Sequence, residues 1–170
     1  MDSLNVKYAA QALGVGAPLL MSGVFFGASH LTIPPLLKLS IKDATQAFAF
    51  VYHTGAGVQG TLAATGIVST AIAAYLSPER RLEYEAIGAG IASPIIFTLV
   101  FMAGGINRLL AIQSMNGSEV QSVRKEEVIG LLKTWQSQNY LRAGIAFAAG
   151  AYGMYNLFHS SRGQAGKAVQ

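Results

Sequence analysis

A chain of 170 residues is enough for one domain, yet 52% of it is hydrophobic and only 12% is charged, about half the charged share of a soluble globular domain. The net charge of +4 is small, and Lys and Arg are scattered through every polar segment rather than gathered on one stripe, which argues against a nucleic-acid partner. The chain has no cysteine, which removes disulfides, zinc-ribbon and iron–sulfur ligation and thiol nucleophiles together.

From Tyr8 to Leu37 no residue is charged, well beyond the roughly 20 residues that cross a bilayer core. A first membrane span is expected over 9–33. The run is too long for the apolar segment of a signal peptide, which typically has about 7–15 residues. Pro34 and Pro35 should stop the helix, since neither donates a backbone hydrogen bond and each disfavours helix in the residue before it. Lys38, Lys42 and Asp43 mark a polar crossing, and a second span is expected over 46–76. It contains FVYHTGAGVQGTLAATG (Phe50 to Gly66), with a histidine and a glutamine among apolar and small residues. Pro78 and the charges from Glu79 to Glu85 form the second crossing, and a third span follows over 86–106, with Pro94 as a tolerated kink. Asn107 and Arg108 close it.

The pattern then becomes amphipathic over 118–135, with Val120, Val123, Val128, Leu131, Leu132 and Trp135 on one face and Arg124, Lys125, Glu126 and Glu127 elsewhere. Ser118 and Gln121 resemble a capping box at its start. This predicts an interfacial helix, with Trp135 at headgroup depth, leading into a fourth span over 140–158. A disordered tail is expected over 161–170. The fold class is therefore all-α: a single-domain four-helix transmembrane bundle with an interfacial amphipathic helix before the fourth span. Seven Lys or Arg fall on the side of the first and third crossings (Lys38, Lys42, Arg108, Arg124, Lys125, Lys133, Arg142), against five on the side of the termini. This narrow excess favours a cytosolic position for the first side.

Each span carries a stripe of small residues that leads to polar groups near one membrane face. Span one offers Gly16, Gly23, Gly27 and His30; span two offers His53, Gly57, Gly60 and Ala64; span three offers Gly90, Ser93, Phe97, Val100, Gly104 and Asn107; and span four offers Trp135, Asn139, Arg142, Ala146, Ala149 and Gly153. His30, His53, Asn107, Arg108, Trp135, Asn139 and Arg142 are thus expected near one end of the bundle, with Tyr52, Gln59 and Thr98 deeper or beside them. The plainer alternative is that the glycine stripes only pack helices, that the arginines snorkel, and that the histidines make interhelical hydrogen bonds. Ionisable groups inside a membrane are nevertheless functional candidates. The spans hold no carboxylate and no HxxxH spacing, so no metal site is expected. No Walker, Rossmann or GxSxG motif occurs.

Thr98, Met102, Asn107, Leu109 and Leu110 fit T-x3-M-x4-N-x-L-L, and Trp135, Asn139 and Arg142 fit W-x3-N-x2-R. With the double proline after span one and the aromatic-to-glycine segment that opens span two, the chain resembles the anthrone oxygenase family, small four-span membrane proteins of fungal aromatic polyketide pathways. Gly104-Gly105-Ile106 stands where that family usually has a proline or polar residue before the asparagine.

The resemblance implies oxidation of an anthrone at C10 to the anthraquinone by molecular oxygen as co-substrate, with no organic cofactor, in the endoplasmic reticulum or another internal membrane, beside a polyketide synthase pathway. The implied substrate is a hydrophobic aromatic polyketide drawn from the lipid. On this expectation His53 is the general base, with His30 as the alternative. Arg142, Asn139 and Asn107 hold the oxyanion or adjacent hydroxyls, Trp135 and Tyr52 flank the ring, and Arg108, Gln59 and Thr98 complete the site. A non-catalytic membrane scaffold or small transporter subunit is the competing reading.

Overall fold

The computed structural model describes residues 3–167, and every regular element among them is helical. Helix α1 (Ser3–Gly27) runs through a π-helical turn (Ala28–Thr32) into the short α2 (Ile33–Leu36). Helix α3 (Ile41–Tyr75) returns, and a 3-10 turn (Pro78–Arg80) leads to α4 (Arg81–Phe97). A second π turn (Thr98–Met102) joins α4 to α5 (Ala103–Ser114), and a one-turn α6 (Gly117–Val120) precedes α7 (Lys125–Lys167).

Three stretches are long and apolar enough to cross a membrane: Leu4–Leu36, Ile41–Tyr75 and Pro78–Ser114. At a rise of about 1.5 Å per residue each is roughly 50 Å long, so its ends stand beyond a bilayer core of about 30 Å. The helices therefore overrun the expected spans, because Lys42 and Asp43 belong to the first turn of α3, where Ser40 accepts the Asp43 backbone N–H at 3.2 Å. Helix α7 is not among the three. It is the fourth wall of the same bundle, and it too carries exposed apolar side chains, among them Leu141, Phe147 and Phe158.

Glycine contacts fix an up-and-down topology. A Cβ on Gly66 would meet Ala17 and Ile91, one on Gly90 would meet Ala149, and one on Gly153 would meet Val15. Each neighbouring pair of rods is thus antiparallel and pulled close where the side chain is absent. The packing glycines are mostly not those of the expected stripes: Gly16, Gly23, Gly27, Gly57, Gly60 and Gly104 have nothing within 4 Å of a virtual Cβ.

The π turns explain part of this. On the first rod the buried stripe keeps a spacing of four through Ala17, Met21, Phe25, Ser29 and Ile33, longer than the 3.6 of a regular helix; on the third, after Ile87, Ile91 and Pro94, it jumps eight residues to Met102 and goes on to Ile106, Leu109 and Ile112. One extra residue per π turn rotates the following face by about 100°. The prolines are absorbed rather than obeyed. Pro34 and Pro35 do not end the first rod, because the widened turn before them relieves the clash with preceding carbonyls. Pro94 leaves the Gly90 carbonyl without its helical donor, and Ser93 Oγ donates to it at 3.0 Å.

From Lys125 onward the amphipathic segment is not a helix separate from the fourth rod. Residues from Lys125 onward form one continuous helix with the expected fourth span, and Val128, Leu132 and Trp135 join Phe48, Ile106, Leu109 and Ile112 in an apolar core. Trp135 accordingly lies inside the bundle. The short α6 begins one residue earlier than expected, where Glu119 accepts the Asn116 backbone N–H at 2.8 Å in place of the Ser118 and Gln121 pair. Helix α7 runs on through Lys167, into the stretch expected to be a disordered tail; residues 168–170 lie outside those described.

Candidate functional site

Two apolar clusters fill the bundle, one around Phe48, Leu109 and Leu132 and the other around Met21, Tyr84 and Ile91. Between them the rods part around a cavity of about 350 Å³, at the lower end of the roughly 300–1,000 Å³ usual for small-molecule sites. The gap has a local cause. The inward face of α3 is occupied over two turns by Gly55, Ala56 and Gly60, which line the cavity, and a Cβ on Gly55 or Gly60 would still meet nothing within 4 Å. Met21, Phe25 and Ala28 form the α1 wall, Tyr52 and Gln59 stand on α3, Ile95, Thr98 and Leu99 on the third rod, and Trp135, Asn139 and Arg142 on α7.

The side chains of this lining are largely apolar, and its polar groups are poorly partnered. Arg142 Nη1 donates to Asn139 Oδ1 at 2.7 Å and contacts Met102 Sδ at 3.9 Å. Its guanidinium carbon lies 3.8 Å from the Phe25 ring centroid, a close cation–π stack. Among the described residues no carboxylate pairs with it. Arg142 Nε, Asn139 Nδ2, Trp135 Nε1 and Gln59 Oε1 are all buried without a hydrogen-bond partner. A half-buried cation with a buried, unmet Nε, together with three further unmet polar atoms, is costly in a folded chain. The three donors meet on the α7 wall of the cavity and mark a site prepared for a ligand that accepts hydrogen bonds and carries negative charge, while Gln59 Oε1 stands on the α3 wall.

The aromatic floor is ordered. Phe48 meets Trp135 edge to face at 5.3 Å, and Tyr52 stacks parallel to Phe48 at 6.1 Å. Two glutamines of α7 tie in the π turns: Gln136 Nε2 donates to the Ser29 carbonyl at 2.9 Å and Gln138 Nε2 to the Phe101 carbonyl at 3.2 Å. A π turn breaks the regular ladder of backbone bonds, and here each offers a carbonyl to a side chain of the facing helix.

Of the residues expected from sequence, the cavity gathers Tyr52, Gln59, Thr98, Trp135, Asn139 and Arg142. It does not gather the other four. His53 is exposed, with its ring 5.3 Å from that of Tyr52, because α3 presents the neighbouring stripe (Tyr52, Gly55, Ala56, Gln59) to the interior. His30 is exposed, stacks on Phe26 at 5.2 Å and has Nδ1 3.4 Å from the Tyr140 hydroxyl. Asn107 is turned outward by the preceding π turn. Arg108 Nε binds Glu127 Oε1 at 2.7 Å, tying α5 to the start of α7; that hydrogen bond holds the Glu127 carboxyl below the usual glutamate range.

Sequence reasoning missed Phe25, whose one available signal is its place four residues after Met21 on an apolar face. It also missed a polar cluster at the opposite end, where Gln11 Nε2 donates to the buried Tyr84 hydroxyl at 2.7 Å. Among the described residues no three His, Asp or Glu gather where a metal ion could be shared.

No curated protein and no solved structure matches the chain. A family model does, over residues 48–152. That stretch holds every cavity residue on α3, on the third rod and on α7, and leaves out only the α1 wall. The family is described as anthrone oxygenase, and with most of its length matched the chain belongs to it.

Proposed function

We propose that this chain is a membrane-bound oxygenase that converts an anthrone-type aromatic polyketide to the anthraquinone with molecular oxygen and without an organic cofactor, in an internal membrane such as the endoplasmic reticulum. The observation that carries the reading is Arg142: a half-buried cation in the wall of an apolar cavity, its Nε buried and unpartnered, with no carboxylate partner among the described residues and with Asn139 and Trp135 donors unmet beside it. An aromatic oxyanion satisfies all three, and the flat apolar remainder suits Phe25, Tyr52 and Leu99.

An anthrone that loses a C10 proton to water becomes an enolate with its charge on the C9 oxygen. Such an electron-rich anion can pass one electron to triplet oxygen, which closed-shell molecules otherwise meet slowly. Combination of the resulting radical and superoxide forms the C10–O bond, and the peroxide takes up a proton. Loss of the remaining C10 hydrogen with cleavage of the O–O bond gives the ketone and water, so one O2 is used per quinone. The chain's share is to bind the substrate as its enolate: Arg142 and Asn139 at the oxyanion stabilise the charge and make the C10 proton easier to lose. Neither His53 nor His30 lines the cavity, so in this reading activation is electrostatic and does not run through an imidazole.

The test is the purified chain in detergent with an anthrone. Quinone should appear faster than by autoxidation, with one O2 consumed and one labelled oxygen atom from ¹⁸O2 placed at C10, and turnover should survive a chelator. No acceleration across several anthrones would overturn the proposal in favour of a non-catalytic role.

A further inference from the structure

Gln59 lies on the same inward stripe as Tyr52, two turns or about 10 Å further along α3. Its Nε2 donates to the Met21 backbone carbonyl at 3.2 Å. A carbonyl only accepts, so this bond fixes which end of the amide faces α1 and leaves Oε1 over. Oε1 is buried without a partner on a residue that lines the cavity.

The other unpaired polar atoms of the cavity wall are all donors: Trp135 Nε1, Asn139 Nδ2 and Arg142 Nε. The cavity is therefore polarised, with donors grouped on α7 and one acceptor set apart from them. Met21, which orients Gln59, and Phe25, which lies against Arg142, are one turn apart on α1, about 6 Å along the axis. A fused-ring frame covers that separation.

We infer that Gln59 selects substrates with a free hydroxyl on an outer ring, remote from the oxyanion. The hydroxyl donates to Oε1 while the enolate oxygen rests on Arg142 and Asn139. This deepens the anthrone reading and rests on it. A ligand with no donor there leaves Oε1 buried and unsatisfied, which lowers affinity about tenfold.

Trp135 is the chain's single tryptophan and lines the cavity, so quenching of its fluorescence reads ligand binding without turnover. The probes are 1,8-dihydroxyanthraquinone, the same compound with a further C3 hydroxyl, and its C3 methyl ether, titrated into the full chain in detergent. The C3-hydroxyl compound should bind about tenfold more tightly than the other two, and Gln59→Leu should bring the ratio to about one. If that variant does not fold, Gln59→Met gives the same reading. Equal affinities in the unmodified chain, which needs no variant to fold, would overturn the inference and leave the cavity as an anthrone site. Quenching by none of the three would overturn both.

Discussion

A guanidinium without a carboxylate destabilises the apo protein, and that is the physical signature of Arg142. Replacing such a group with an apolar side chain of similar length relieves desolvation while removing the charge that the ligand needs. Arg142→Met should therefore unfold at a temperature no lower than the parent chain and lose about 10²–10³-fold in turnover, as expected when a preorganised oxyanion donor is removed. Thermal unfolding and quinone formation, measured on the same preparation, check this; retained activity would remove Arg142 from the site. His53→Ala should behave in the opposite way. The ring lies outside the cavity lining, so kcat/KM should stay within about threefold, whereas a positioned base would contribute about 10²–10⁴-fold. A loss of that size would return the histidine to the mechanism.

The π turns are the elements that shape the site, for they contribute Ala28, Thr98 and Leu99 to its wall and set which face of each following segment turns inward. Gln136 and Gln138 hold them through the Ser29 and Phe101 carbonyls. Replacing either glutamine with leucine removes a bond worth about 1 kcal/mol and frees a wall of the cavity. Gln136→Leu and Gln138→Leu should lower stability by about that amount and raise KM more than they lower kcat, because the loss falls on binding in ground and transition states alike. If the prolines alone hold the turns, KM will stay at the parent value, and steady-state kinetics beside thermal unfolding separates the two outcomes.

At the scale of the whole molecule, Arg142 lines the cavity inside the bundle and no longer counts among the topogenic charges of a loop. Six Lys or Arg then remain beside the first and third crossings (Lys38, Lys42, Arg108, Arg124, Lys125, Lys133), against five on the other side (Lys7, Arg80, Arg81, Arg162, Lys167). The remaining excess still favours a cytosolic position for the first group. Asn116-Gly117-Ser118 is a glycosylation sequon in the third crossing, and Asn116 is exposed. It should therefore carry no glycan when the chain is made in a eukaryotic host. A mass shift removed by glycosidase would place this loop in the lumen and reverse the orientation.

The sequence by itself determined the helical class, the apolar rods and the α7 wall. Trp135, Asn139, Arg142 and Ala146 share a face at simple helical spacing, and α7 has no π turn to disturb it. The resemblance in WQSQNYLR likewise fell where the cavity's donors stand. Only the tertiary structure decided which face of α3 turns inward. That helix offers two adjacent stripes that meet at Gly60, each with small residues and polar groups: His53 and Gly57 on one, Tyr52, Gly55, Ala56 and Gln59 on the other. Periodicity weights them alike. The choice falls to packing from outside the helix, where Gly66 meets Ala17 and Ile91 and Gln59 reaches the Met21 carbonyl. Asn107 and Ile106 exchanged roles for a related reason. A π turn adds one residue to the count, and no local pattern in Thr98 to Met102 signals it. The turn is settled by Pro94 behind it, Gln138 across from it and the core that Met102, Ile106 and Leu109 complete.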